Sequence, residues 1–483
     1  MKKTLPIIFV NRLKNGIKVC LLVTLLVLTV SCEDLLDVDT PPASPLRSSV
    51  FSDDAMAEAA VRGVYSNFMS ASSFNGYQIS RWGAFSADEL TYFGTNLNNI
   101  QFEENDLLVD NSFISDLWIN AYEIIYRANA VIEGVAASSE ISEEANVQFT
   151  GETLFLRAFL HFYLVNLFGD IPLVTETDYL VNGKVTRMPV ETVYQQIEAD
   201  LQEAIGLLHD EYPSAGRYRV NKATALALLA RVYLYQEKWT DAEATASILL
   251  DDVADYDLVS LSDITLPGNK EAIWQLYNYN DNAFAYEGNY FYGNLFSNTY
   301  GRNALRDDFV GTDVLPGIFE EGDARKTAWV HLDRFYQAHM VPYKYRSYTS
   351  LTTANPDDSR QENSTAFRLA EQYLIRAEAR VQQNKLGLAI ADLDVIRARA
   401  ELPLIADTNP GIIQSDLLEA IMQERRVELF TEWGHRWFDL KRTGKALTTL
   451  QPIKAGFTDD DLLYPIPERE RNKNPFLEQN EGY

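Results

Sequence analysis

Three sets of side chains in this sequence are equipped for chemistry. Cys32 lies directly after an uncharged apolar run, Val19 to Val30, and directly before Glu33-Asp34. A cysteine in that place offers its thiol for a diacylglyceryl thioether once an export signal has been cut, and Thr29-Val30-Ser31 is a loose form of the sequence such a cut requires. The second set is flat rings interleaved with amides. Tyr77, Trp82, Tyr92, Phe93 and Asn96 occupy one stretch, and Tyr277, Tyr279, Asn280, Phe284, Tyr286, Tyr290, Phe291 and Tyr292 another. Rings of this kind stack on the apolar faces of sugar rings, while Asn, Asp or Arg side chains pair with the hydroxyls. The third set is Asp88-Glu89, a carboxylate pair inside the first aromatic stretch. Adjacent residues on an extended chain point apart, whereas glycosidic cleavage needs two carboxyls facing one bond at about 5 to 9.5 Å, so the pair is a poor hydrolytic centre.

Other chemistries find little support. His161, His209, His331, His339 and His435 show no metal-ligand spacing, and no phosphate loop, nucleophile elbow or dinucleotide fingerprint occurs. No catalytic residue, metal or cofactor is therefore expected. Arg425, Arg426, Glu428, Arg436, Asp439 and Arg442 alternate in sign at helical spacing, the pattern of ion pairs that join helices. Cys20 falls inside the apolar run and would leave with it. The mature chain would then hold no disulfide, no cysteine zinc site and no thiol nucleophile. Losing the five cations before Cys32 also takes the net charge from −27 to −32, which repels phosphate and argues against nucleic-acid partners.

The elements that must position these residues read as mostly α. Twelve apolar residues rise about 18 Å as helix, too little for a hydrocarbon core of about 30 Å. Residues 1–31 are thus expected to be a removed lipoprotein signal peptide and 32–50 a lipidated tether, with the acyl chains as the sole membrane attachment. A single domain is expected over 51–483. Ser52-Asp53-Asp54 caps a helix reaching about Asn67, and helical periodicity returns over Ile114 to Val135, Glu152 to Phe168, Val190 to Leu208, Lys222 to Gln236, Asp241 to Leu250, Ala366 to Gln383, Leu386 to Ala400 and Ser415 to Gly434. Within these, Leu226, Ala230, Ala242, Ala246 and Leu249 have the spacing of a tetratricopeptide-type helix pair. Tyr373, Ala377, Ala389, Leu393 and Ile396 repeat the same offsets, and Leu154, Ala158 and Ala204 suggest a degraded third pair. The scaffold is expected to be a right-handed stack of helix pairs over about 51–250 and 366–434. Residues 70–101 and 251–365 read as long irregular loop-rich parts carrying a few short strands. One such strand runs from Ala272 to Tyr277, with Trp274 and Leu276 on a buried face opposite Tyr277 and Tyr279.

Six ordered stretches resemble the SusD/RagB family of nutrient-binding outer-membrane lipoproteins. They are Ser31-Cys32-Glu33-Asp34; Glu152 to Phe159 leading into Gly169-Asp170-Ile171-Pro172; Phe367 to Ala379; Glu424 to Leu429; Gly434 to Arg442; and Tyr464-Pro465-Ile466-Pro467. The ending through Asn474-Pro475 to Tyr483 is similar too. The resemblance implies a non-catalytic helical-repeat protein, lipid-anchored on the outer face of a Gram-negative outer membrane. It would capture oligosaccharides and act as a lid on a SusC-like TonB-dependent transporter. It also implies that both aromatic stretches correspond to ligand-contacting loops. A surface glycoside hydrolase and a peptide-binding repeat scaffold remain as alternatives.

Overall fold

The computed structural model describes residues 47–68, 74–251, 254–277, 285–293, 302–310, 317–332, 339–347 and 361–483. Cys32, the segment before it, most of the tether, and Tyr279, Asn280 and Phe284 lie outside the described residues. The chain divides into two units, Met1–Val50, where Arg47–Val50 is a short helix, and Phe51–Tyr483.

The second unit is mostly helical. Its first long helix, α1 (Asp54–Phe68), starts where the Asp53 carboxylate accepts the Met56 N–H at 2.9 Å. α2 (Gly76–Ser86), the strand β1 (Leu90–Phe93) and α3 (Leu97–Glu104) follow. This stretch, expected to be an irregular loop, is therefore largely regular. Its small and polar residues act as caps: Asn75 and Asn96 both accept backbone N–H groups at helix starts.

The stack proper begins with α4 (Ser112–Ala137) and α5 (Glu143–Phe168), followed by α6 (Val190–Leu207), α7 (Lys222–Tyr235) and α8 (Trp239–Leu250). Ser142 caps α5, with Glu143 and Glu144 in the first turn where the helix dipole favours acids. Gly169, at φ +72°, ends it. α9 (Leu369–Gln382), α10 (Leu386–Arg399), α11 (Gln414–Glu428) and α12 (His435–Arg442) complete the series. Each helix from α4 to α8 packs on the next, and α8 packs directly on α9 although the chain between them is long. The expected seam residues close these pairs: Ala230, Ala242, Ala246, Ala377, Ala389, Leu393 and Ile396 are all fully buried, as are Ala158 and Ala204 on α5 and α6. Among the described residues no helix is long and apolar enough to cross a membrane.

Besides the start of α5 at Glu143 rather than Glu152, two boundaries differ from the periodicity. Residues 364–368 form a strand before α9 begins, so Ala366, Phe367 and Arg368 are extended rather than helical. α11 stops at Glu428 instead of running to Gly434, because Thr431, Trp433 and Gly434 all have positive φ. The first difference arises because β2 (Ala272–Leu276) recruits residues 364–368, here β4, as an antiparallel partner; β3 (Arg302–Leu305) pairs in the same way with β1. All five β2 residues are buried, so neither face of that strand is open. On one side the Trp274 indole meets Phe155 and Phe159 of α5 edge-on, with centroids at 5.3 and 5.2 Å. On the other, Gln275 bonds the Leu266 carbonyl at 3.0 Å.

A buried ion network makes the second attachment between insertion and scaffold. Arg368 donates to Glu432 at 2.8 and 3.0 Å, to Glu271 at 3.0 Å and to Glu428. Glu428 also receives Arg399 and, at 3.2 Å, Arg325. Lys344 donates to Glu432 at 2.6 Å and to the Glu428 and Phe430 carbonyls. Glu271, Arg325 and Lys344 come from the insertion; the others come from β4, α10, α11 and the turn after α11. Surrounding guanidinium groups hold the Glu428 carboxyl far below its ordinary range despite burial, and desolvation pulls Lys344 down to about 8.

Candidate functional site

Four separate segments meet in a cleft. Asn75, Gly76 and Tyr77 bring the N-terminus of α2. Leu276 and Tyr277 bring the end of β2, and Ser364 stands opposite Leu276 in the ladder. Ala285, Tyr286 and Glu287 bring the turn that opens the second aromatic stretch. The approach of these segments requires glycine at 76: a Cβ there would lie 2.5 Å from the Ser364 hydroxyl and 2.7 Å from the Glu287 carboxylate.

The rings form a short tilted ladder. Tyr77 lies between Tyr286 and Tyr290, with centroids at 5.6 and 5.4 Å and ring planes 39° and 36° apart. Arg81, one turn further along α2, places its guanidinium 4.3 Å from the Tyr290 centroid and donates to Asn99 at 3.0 Å. Tyr277 is 40% exposed and packs edge-on against Tyr218 at 5.0 Å. Tyr218 in turn accepts from Asn363 at 3.0 Å. Glu287 is buried at the cleft, and Ser364 donates to its Oε1. Desolvation pushes this carboxyl up to about 7, and Glu362 and Glu432 add to the effect. The arrangement presents flat apolar surfaces beside phenol, amide, hydroxyl and carboxyl groups, a combination suited to hydroxylated rings.

The cleft gathers Tyr77, Tyr277 and Tyr286, with Tyr290 behind them, but not the other described candidates. Trp82 is 2% exposed, stacked between Phe102 at 5.3 Å and Phe113 at 5.2 Å, so it packs the core. Tyr92 is buried against Phe85 and its hydroxyl accepts the Asn96 N–H at 3.3 Å; Asn96 itself caps α3. Phe93 is half exposed and stacks on His339 at 4.6 Å. Phe291 is buried, and Tyr292 packs with Tyr343 and Val341 in a separate small core. Trp82, Tyr92 and Tyr292 thus depart from the expectation of open rings, because α2, β1 and neighbouring strands bury them. Sequence reasoning missed Glu287, Ser364 and Arg81, and also Phe68 at the end of α1, which lines the cleft. Glu287 alone had a signal, as the one acid between Tyr286 and Tyr290.

Asp88 and Glu89 do not reach the cleft. Arg426 and Arg436 grip the Asp88 carboxylate at 2.7 to 2.8 Å and hold it down at about 2. Burial beside Asp88 lifts Glu89 to about 8, where its Oε2 accepts the Thr431 N–H at 3.2 Å. Arg425 of α11 binds Asp439 of α12, and Arg442 of α12 binds Glu378 of α9, as expected of helix-joining pairs. Among the described residues no group of His, Cys, Asp and Glu is arranged to hold a metal ion.

Two family models account for most of the chain. One, described as starch-binding and associating with the outer membrane, matches residues 41–234; the SusD family model matches 326–483. The chain belongs to the SusD/RagB family. Its relatives include SusD-like protein P25 of Formosa agariphila, 26% identical, with 94% of this chain and 97% of that protein aligned. A SusD superfamily protein from Bacteroides vulgatus shares the fold at a TM-score of 0.74 and 21% identity, covering 90% of this chain and 100% of the other. A laminarin-binding SusD-like protein superposes at 0.71 with 26% identity over 89% of this chain and 100% of its own. In this SusD-like chain, residues 235–325 fall between the two family models and contain β2 and the turn carrying Glu287.

Proposed function

We propose that this SusD/RagB protein is a non-catalytic glycan receptor of the outer membrane. It is tethered through lipid on Cys32, faces outward, and passes oligosaccharides to a SusC-like TonB-dependent transporter. The observation that carries the reading is the tyrosine ladder at the cleft, with polar groups along its edge and held by a rigid helical stack. Family membership supports it, as do the starch-binding description of the N-terminal family model and the laminarin binding of one relative. Stacked rings plus a few convergent polar groups bind sugars without any group poised to attack a glycosidic bond. The remote position of Asp88 and Glu89 favours binding over hydrolysis.

Affinity electrophoresis of the purified protein through gels containing starch, laminarin and other polysaccharides tests this. Retarded migration without release of reducing ends is the expected result. Release of reducing ends would make the protein a hydrolase, and binding of oligopeptides with no glycan retained would make it a peptide receptor.

A further inference from the structure

Glu287 is more than neutral-sugar stacking requires. It lines the cleft at 2% exposure, Ser364 occupies its Oε1, and among the described residues its Oε2 has no hydrogen-bond partner. A buried carboxyl oxygen left unpaired costs stability, and a partner arriving from outside accounts for its being kept. Among the described residues no lysine or arginine pairs with Glu287, and the charges that act on it most are the carboxylates Glu362 and Glu432. Glu432 is neutralised by Arg368 and Lys344, and Glu362 accepts the Thr265 hydroxyl and the Arg346 and Ser347 N–H groups. Neither supplies a cation to Glu287. The N-terminus of α2 lies against Oε1 and favours the ionised form once a counter-ion is present. Tyr77, Tyr277 and Tyr286 line the same cleft, and aromatic faces attract ammonium groups. The enclosed space is about 20 Å³, room for one water-sized group such as an ammonium.

We propose that this cleft selects glycans bearing a free amine, with Glu287 as the ion-pair partner of the ammonium and the tyrosines as its aromatic wall. The proposal rests on the glycan-binding reading above and names the sugar class within it.

Calorimetry at about pH 6 on the purified protein compares a glucosamine tetrasaccharide, its fully N-acetylated counterpart and a laminarin tetrasaccharide. The amine is expected to bind about tenfold more tightly than its acetylated form, and Glu287→Gln to bring that ratio close to one. Circular dichroism checks that the variant is folded. Should it fail to fold, a salt series on the unaltered protein serves instead: raising NaCl weakens binding of the amine and spares the acetylated sugar. Equal or weaker binding of the amine, with acetylated sugar or laminarin bound, overturns the amine preference and leaves the glycan reading standing. Binding of no glycan in the gels or the calorimeter overturns both, as does capture of lysine-rich peptides alone.

Discussion

Glu428 is the residue on which the attachment of the cleft to its scaffold is best tested. Its carboxylate is fully buried and receives three guanidinium groups, from Arg325, Arg368 and Arg399. Glu428→Gln keeps the shape and removes the charge, leaving those cations without a shared partner. Removing one member of a buried ion pair typically costs about 3 to 5 kcal/mol. A unit of roughly 430 residues has an unfolding entropy near 0.9 kcal/mol/K, from about 2.1 cal/mol/K per residue, so the melting temperature should fall by about 3 to 6 °C. Differential scanning calorimetry reads that shift. Hydrogen exchange should show lost protection in residues 340–347 and 364–368, where the network grips the insertion. Because the folded carboxyl sits far below the ordinary value of about 4.3, its contribution is complete above that pH and lost as pH falls toward the folded value. The gap between variant and parent should therefore narrow in acid. A shift below 1 °C, or one erased by 0.5 M NaCl as for a surface pair, would refute the reasoning.

Other perturbations test other parts. Glu89 keeps in the fold a proton that the unfolded chain releases near pH 4.3, so stability should decline between about pH 5 and 8, by up to about 1.4 kcal/mol per pH unit; Glu89→Gln should flatten that slope in denaturant titrations. Gly83→Ala would set a Cβ 2.6 Å from the Gly434 backbone where α2 crosses the start of α12, costing about 1 to 3 kcal/mol in urea unfolding. Tyr286→Ala should weaken glycan retention roughly tenfold in affinity gels, whereas Phe93→Ala, outside the cleft, should leave it unchanged. Cys32→Ala should abolish incorporation of a fatty-acid analogue while the exported chain still folds.

The helix pairs were legible because their signal is local. Ala230, Ala242, Ala377 and Ala389 sit at fixed offsets, and small residues at those offsets have one common use, letting two helices approach. Strand β4 was not legible, because Ala366, Phe367 and Arg368 fit a helix and become extended only by pairing with residues nearly a hundred positions earlier. Ring burial was hidden for the same reason. Trp82 and Tyr77 lie on one helix with similar neighbours in sequence, yet Phe102 and Phe113 enclose the first while the second reaches the cleft. Ser364 carried no local sign of its role, since a serine becomes part of a site only when the ladder sets it beside Leu276.

The direct packing of α8 on α9 across the insertion bears on the order in which the chain folds. The helix pairs through α8 have short connections and can form as they leave the ribosome, but α9 must find α8 over an intervening loop of roughly 120 residues. Closing that loop rather than a turn of about four residues costs about 3 kcal/mol of chain entropy, which slows the step without preventing it. Until it closes, the seam of α8 is exposed, and the cleft, which needs β2 and β4 joined, does not yet exist. The cleft is thus among the last features to appear during synthesis, and a truncated chain ending before β4 would hold much of the scaffold and none of the cleft.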